Sequence, residues 1–160
     1  MILMGIVGHK NAGKTTLTER LVATLVARGL TVSTAKRTHH ALDLDQPGTD
    51  SFRHRAAGAG QVLLASDARL TLLEERAGAT LNDCLARLAP CDVVLAEGWK
   101  HGTHPRLEVW RPETGRPPLA AGDPTILAVA APVGVAVPGA GGRPVLPLDD
   151  AAAIGRWIVP

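Results

Sequence analysis

The segment Gly8-His9-Lys10-Asn11-Ala12-Gly13-Lys14-Thr15 constrains this chain more than any other. It fits the pattern G-x-x-x-x-G-K-[ST], and its setting fits as well. The apolar run Ile2-Leu3-Met4-Gly5-Ile6-Val7 before it reads as a strand, and Leu17, Leu21, Leu25 and Val26 after it recur at helical spacing. A strand that passes through a glycine-rich loop into a helix turns backbone N–H groups toward an anion at the positive helix end. Gly8, His9, Lys10, Asn11, Ala12, Gly13, Lys14, Thr15 and Thr16 are therefore expected to cradle nucleotide phosphates. In this arrangement the Lys14 ammonium neutralises the outer phosphates and the Thr15 hydroxyl ligates Mg²⁺.

The rest of the chain alternates in a way that suits such a start. Residues 31–36, 92–96, 106–111 and 126–130 read as strands, and residues 61–65 and 70–73 as a short pair around Ser66-Asp67. The first helix is expected to end near Arg28, before Gly29. Thr49 or Asp50 caps a short helix that closes near Ala57. Residues 79–88 read as helical, and Asp149 as the cap of a last helix through Ile158. Residues 112–124 read as a surface connection, and residues 133–147, rich in Pro and Gly, fit no element well. Apolar strands alternating with helices predict an α/β chain: a three-layer P-loop NTPase domain with a mainly parallel β-sheet, its ligand at the carboxyl ends of the strands.

A length of 160 residues with no linker or repeat predicts one nucleotide-binding domain over residues 1–160. A net charge of +2 and 2% aromatic residues give no nucleic-acid face. No apolar run is long enough for a membrane span, and the apolar N-terminus is too short for a signal peptide, so a cytoplasmic protein is expected. Cys84 and Cys91 lack metal-site spacing and are expected as free core thiols. The chain's four lysines, Lys10, Lys14, Lys36 and Lys100, fall in the loop or just after strand-like runs, which marks where a phosphate site would lie.

Glu97 closes the run Asp92-Val93-Val94-Leu95-Ala96, where a phosphate-loop protein keeps its second Mg²⁺ group, acting through a bound water. With Lys14 it is the expected catalytic pair, and with Thr15 and Asp50 the expected metal set. Asp92, at the other strand end, reads as structural. Asp43, Asp45 and Asp50 lie in or beside the polar loop at 37–48, for which two readings stay open: a switch that reorders around the γ-phosphate and metal, or a solvated acidic loop. His39, His40 and His54 read as structural or anion-contacting, since adjacent histidines in an extended segment point apart. Trp99, Trp110 and Trp157 are expected to pack in the core or an interface, with Trp99 the candidate for stacking on a ligand.

Taken together, Gly8 to Thr16, Lys36-Arg37-Thr38-His39-His40, Asp45-Gln46-Pro47-Gly48-Thr49-Asp50-Ser51, Arg53, Ala57-Gly58-Ala59 and Glu97-Gly98-Trp99-Lys100-His101 resemble the bacterial MobB family, the molybdopterin-guanine dinucleotide biosynthesis adapter proteins. The run Leu107-Glu108-Val109 and the ending Val145-Leu146-Pro147-Leu148-Asp149-Asp150 also fit. The chain departs from the family's usual pattern at Thr49, Arg37 and Ala130-Ala131-Pro132, and holds no Asn-Lys-x-Asp motif, its asparagines being Asn11 and Asn82.

The resemblance implies a homodimeric GTP-binding protein with weak GTPase activity. It also implies a role beside a molybdenum cofactor guanylyltransferase, assisting the attachment of GMP to molybdopterin. The alternative is a small-molecule kinase using the same loop on ATP, for which an arginine-rich lid would be expected and is not legible. Slow hydrolysis is expected because neither Gln46 nor Gln61 stands out as a water-positioning residue. Lys36, Arg37, His39, His40, Arg53, Lys100 and His101 further predict an anion site beside the nucleotide, for molybdopterin or an acidic patch on the guanylyltransferase; the other reading is that they only balance Asp43, Asp45 and Asp50. The homodimer is implied by the resemblance alone; apolar material at 107–110 and 133–145 is compatible with it, but the sequence does not say which strand forms the interface.

Overall fold

Continuous apolar runs joined by long crossovers favour parallel strands buried on both faces. The computed structural model, which describes residues 1–38 and 43–160, shows that outcome. Its elements are β1 (Ile2–Val7), α1 (Lys14–Ala27), β2 (Val32–Lys36), α2 (Asp50–Ala56), β3 (Gln61–Ala65), β4 (Leu70–Glu74), α3 (Leu81–Leu85), β5 (Val93–Glu97), β6 (Arg106–Val109), β7 (Ile126–Ala131), β8 (Val145–Pro147) and α4 (Ala151–Ile158). The described residues pack as two compact units, one of residues 1–37 with 84–160 and one of residues 38–83.

In the first unit six strands form one sheet in the order β2-β5-β1-β6-β7-β8. Every neighbouring pair is parallel. The register sets Ile6 and Lys36 on either side of Glu97, so β1, β2 and β5 end level with one another. Leu17, Leu21 and Leu25 bring one face of α1 onto the sheet, where they meet Met4, Ile6, Val93, Leu95, Leu107 and Ile154 of α4 in the main core. Removing each of these side chains from water contributes about 1.5–3 kcal/mol. On the other face a smaller cluster gathers Val7, Trp110, Ala120, Ile126, Val129 and Ala131. A fully buried glutamate, Glu108, braces that side. Its carboxylate accepts the Leu119 and Ala120 N–H groups at 2.7 and 2.8 Å, which offsets in part the rise in its pKa that burial causes.

In the second unit Thr49 caps α2, accepting the Phe52 N–H at 3.3 Å. β3 and β4 pair antiparallel, with Leu63 opposite Leu72 and Ala65 opposite Leu70. Arg55 ties the unit together, reaching Asp43 at 2.9 Å, Asp45 at 3.1 Å and Glu75 at 2.7 Å.

Several boundaries differ from expectation for local reasons. The helix expected over residues 79–88 contracts to α3: Arg87 and Leu88 donate to Cys84 and Leu85, three residues back, as the chain tightens toward Pro90. Asp150, not Asp149, caps α4, accepting the Ala153 N–H at 2.8 Å. The segment 133–147 does contain a strand, β8, short and at the sheet edge where Pro147 is tolerated. β6 stops at Val109, since the chain turns into a 3-10 segment at Pro112–Thr114. Cys84 and Cys91 are free but half-buried rather than in the core. Among the described residues no helix is long and apolar enough to cross a membrane.

Candidate phosphate and metal site

The loop after β1 takes a shape that only certain residues permit. Gly8 has φ +146, and a Cβ there would lie 2.3 Å from the Val109 carbonyl oxygen, so the close passage of loop and β6 requires glycine. Gly13, at φ +97, is the N-cap of α1 and offers no side chain to the helix's free N–H groups. The first turn of α1 also holds no acid. The 14-residue helix therefore presents an unneutralised positive end to whatever the loop encloses. Lys14 bends back over the loop, its Nζ donating to the His9 carbonyl at 2.7 Å. Its pKa is lowered chiefly by burial; Glu97 opposes the shift, and the charges of Lys100 and Lys36 add to it. Three ammonium groups and one carboxylate thus act on the same small volume, and the balance favours an anion.

The level ends of β1, β2 and β5 assemble the second half of the site. The Thr15 hydroxyl donates to Glu97 Oε1 at 2.9 Å. Lys36 Nζ stands 3.3 Å from the same oxygen and 3.4 Å from Thr15 Oγ1. Glu97 is buried, whereas Lys36 is exposed beyond its stem. A hydroxyl and a carboxylate side by side are the hard oxygen donors that Mg²⁺ takes, with phosphates and water completing its shell. A cavity lined by Thr18, Val22, Thr34 and Ala35 opens beside them, between α1 and β2. Among the described residues no three His, Cys, Asp or Glu side chains are placed to hold a metal by themselves.

The expected site residues divide accordingly. Gly8 through Thr16, Lys36 and Glu97 come together in the first unit. Asp50 belongs to the second unit, where it begins α2 and stands 3.8 Å from Arg53. His39 and His40 lie outside the described residues, and His54 is exposed on α2. Asp92 is structural, accepting the Thr31 N–H and hydroxyl at 2.8 and 2.7 Å. Trp99 is buried, with the Arg37 guanidinium 5.2 Å over its ring, so that ring face is already covered. Asp43 and Asp45 are held below the usual carboxylate range, Asp43 chiefly by its bond to Arg55 and Asp45 chiefly by its bond to Ser51.

Sequence reasoning gave no site role to Arg55, Arg20 or Arg111, and read Asp149 only as a helix cap. Arg111 was detectable in principle, because it follows a strand parallel to β1 and therefore arrives at the loop's rim.

Residues 3–132 match the family model MobB, described as molybdopterin guanine dinucleotide synthesis protein B. The chain is 40% identical over 131 residues to the molybdopterin-guanine dinucleotide biosynthesis adapter protein of Haemophilus influenzae, covering 80% of this chain and 73% of that protein. It is 35% identical over 137 residues to the protein of that name from Escherichia coli, covering 82% of this chain and 78% of the other. The crystal structure of a MobB protein homolog from Bacillus stearothermophilus superposes with a TM-score of 0.70 at 30% identity, over 99% of this chain and 95% of that one. A second crystal structure, of molybdopterin-guanine biosynthesis protein B, gives 0.72 at 28% identity, over 99% and 98%. The chain belongs to the MobB family.

Proposed function

We propose that this MobB family member is an adapter in molybdopterin-guanine dinucleotide biosynthesis that binds GTP with Mg²⁺ and hydrolyses it slowly. The adapter role follows the curated relatives. The observation that carries the nucleotide reading is Thr15 bonded to Glu97 at 2.9 Å beside Lys14, at the open end of α1. Backbone N–H groups and Lys14 would bind the phosphates, and Thr15 and Glu97 would hold Mg²⁺, which supplies charge neutralisation on the phosphates when bound. Slow turnover, about one per minute or less without a partner, is expected because, among the described residues, no glutamine or arginine lines the cavity beside Thr15 and Glu97.

The partner reading rests on Arg37, Lys100 and His101 of the first unit, all exposed. Arg55 already balances Asp43 and Asp45, so these cations are not needed for that task. They suit molybdopterin's phosphate or an acidic patch of the guanylyltransferase. A reconstituted transfer of GMP to molybdopterin by the guanylyltransferase, with and without this chain, tests the assignment. The chain should raise the yield. The double variant Arg37→Ala, His101→Ala should lose that stimulation while retaining GTP affinity; full stimulation by the variant would remove the anion site from the account.

A further inference from the structure

The strand order gives the phosphate loop two unlike sides. Glu97 and Lys36 end β5 and β2, on one side of β1; Arg111 and Asp149 follow β6 and β8, on the other. A nucleotide whose metal-bearing end meets Thr15 and Glu97 leaves its nucleoside end free to reach the second side. There a recess is lined by Gly13, Thr16, Arg20, Arg111 and Asp149. The Arg111 guanidinium lies against the loop, its Nε 3.6 Å from where a Cβ on Gly13 would stand. Arg20 and Arg111 approach Asp149 at 3.4 and 4.0 Å, both at Oδ1. Oδ2 has no partner among the described residues, and the side chain is 70% exposed.

Nearby carboxylates are committed elsewhere. Asp150 caps α4, Glu108 holds two backbone N–H groups, and Asp123 pairs with Arg106 at 3.2 Å and accepts from Thr125. Glu113 sits on the exposed 3-10 segment and does not line the recess. The edge of guanine presents two adjacent donors, the ring N1–H and the 2-amino group, which match the two oxygens of a carboxylate. Adenine presents its N1 lone pair at that position and would face the carboxylate acceptor to acceptor. We propose that this recess is the nucleoside end of the site and that Asp149 is the carboxylate that selects guanine, held in place by Arg20 and Arg111. This rests on the phosphate-loop reading of Proposed function.

The test is equilibrium binding of labelled GTP, ITP, XTP and ATP with Mg²⁺ to the full chain, to Asp149→Asn and to Lys14→Ala. The wild type should prefer GTP to ITP, which lacks the 2-amino group, and to ATP. Asp149→Asn should bind GTP about tenfold or more weakly and XTP more tightly, because a carboxamide complements the xanthine edge. Inorganic triphosphate should compete equally with wild type and Asp149→Asn, showing the loop intact. If Lys14→Ala abolishes binding while Asp149→Asn leaves the GTP-to-XTP ratio unchanged, base reading by Asp149 is overturned alone. If Lys14→Ala binds as tightly as wild type, the phosphate-loop reading fails and takes this inference with it.

Discussion

Glu97 is the residue on which the metal half of the site turns. Its Oε1 accepts from Thr15 and faces Lys36, within a field that also contains Lys14 and Lys100. Glu97→Gln removes the one carboxylate acting on Lys14 in that group. The two consequences have opposite signs. The gain in GTP affinity that Mg²⁺ confers should fall about tenfold or more, since a carboxamide is a poor partner for a hard divalent cation. Affinity in EDTA should be unchanged or higher, because the phosphates then meet cations with less compensation. Titrations of wild type and variant in both conditions check this; an intact Mg²⁺ effect in Glu97→Gln would remove Glu97 from the metal set. The residues in this argument were legible in the sequence because each is fixed by spacing along a single strand-loop-helix or strand end. The meeting of Asp149 with Arg111 at the loop was not, since it depends on how β6, β7 and β8 line up.

Among the described elements, the β3–β4 hairpin exposes the most large apolar side chains. Leu63 and Leu70 are 61% and 68% exposed, and Leu72 is 43% exposed on the same face. The apolar strand material at 107–110 is buried between β1 and β7 and is already covered within the chain. We predict that the chain forms a homodimer through the hairpin face and that Leu72→Asp shifts it to monomer in light scattering; a monomeric wild type, or an unchanged mass in the variant, would contradict this. Most elements could be read directly. The parallel strands announced themselves as continuous apolar runs, and Leu17, Leu21 and Leu25 marked α1 by their period. What could not be read followed from weak local signals. The three-residue β8 is too short to show a period, α3 competes with the tight turns before Pro90, and Asp149-Asp150 offers two equivalent caps of which tertiary packing uses one.

At the scale of the molecule, one parallel sheet gathers on a single rim the loop after β1, the acid that ends β5 and the basic groups at the end of β2 and after β6. That convergence is why a motif of eight residues can be read as a site rather than a turn, and the central claim is that the site binds GTP with Mg²⁺. Equilibrium titration of labelled GTP into wild type and Lys14→Ala, in Mg²⁺ and in EDTA, tests it most directly. The account predicts saturable binding by wild type that weakens in EDTA, and a loss of about a hundredfold or more in Lys14→Ala with the fold intact by circular dichroism. Binding by Lys14→Ala as tight as by wild type would contradict it.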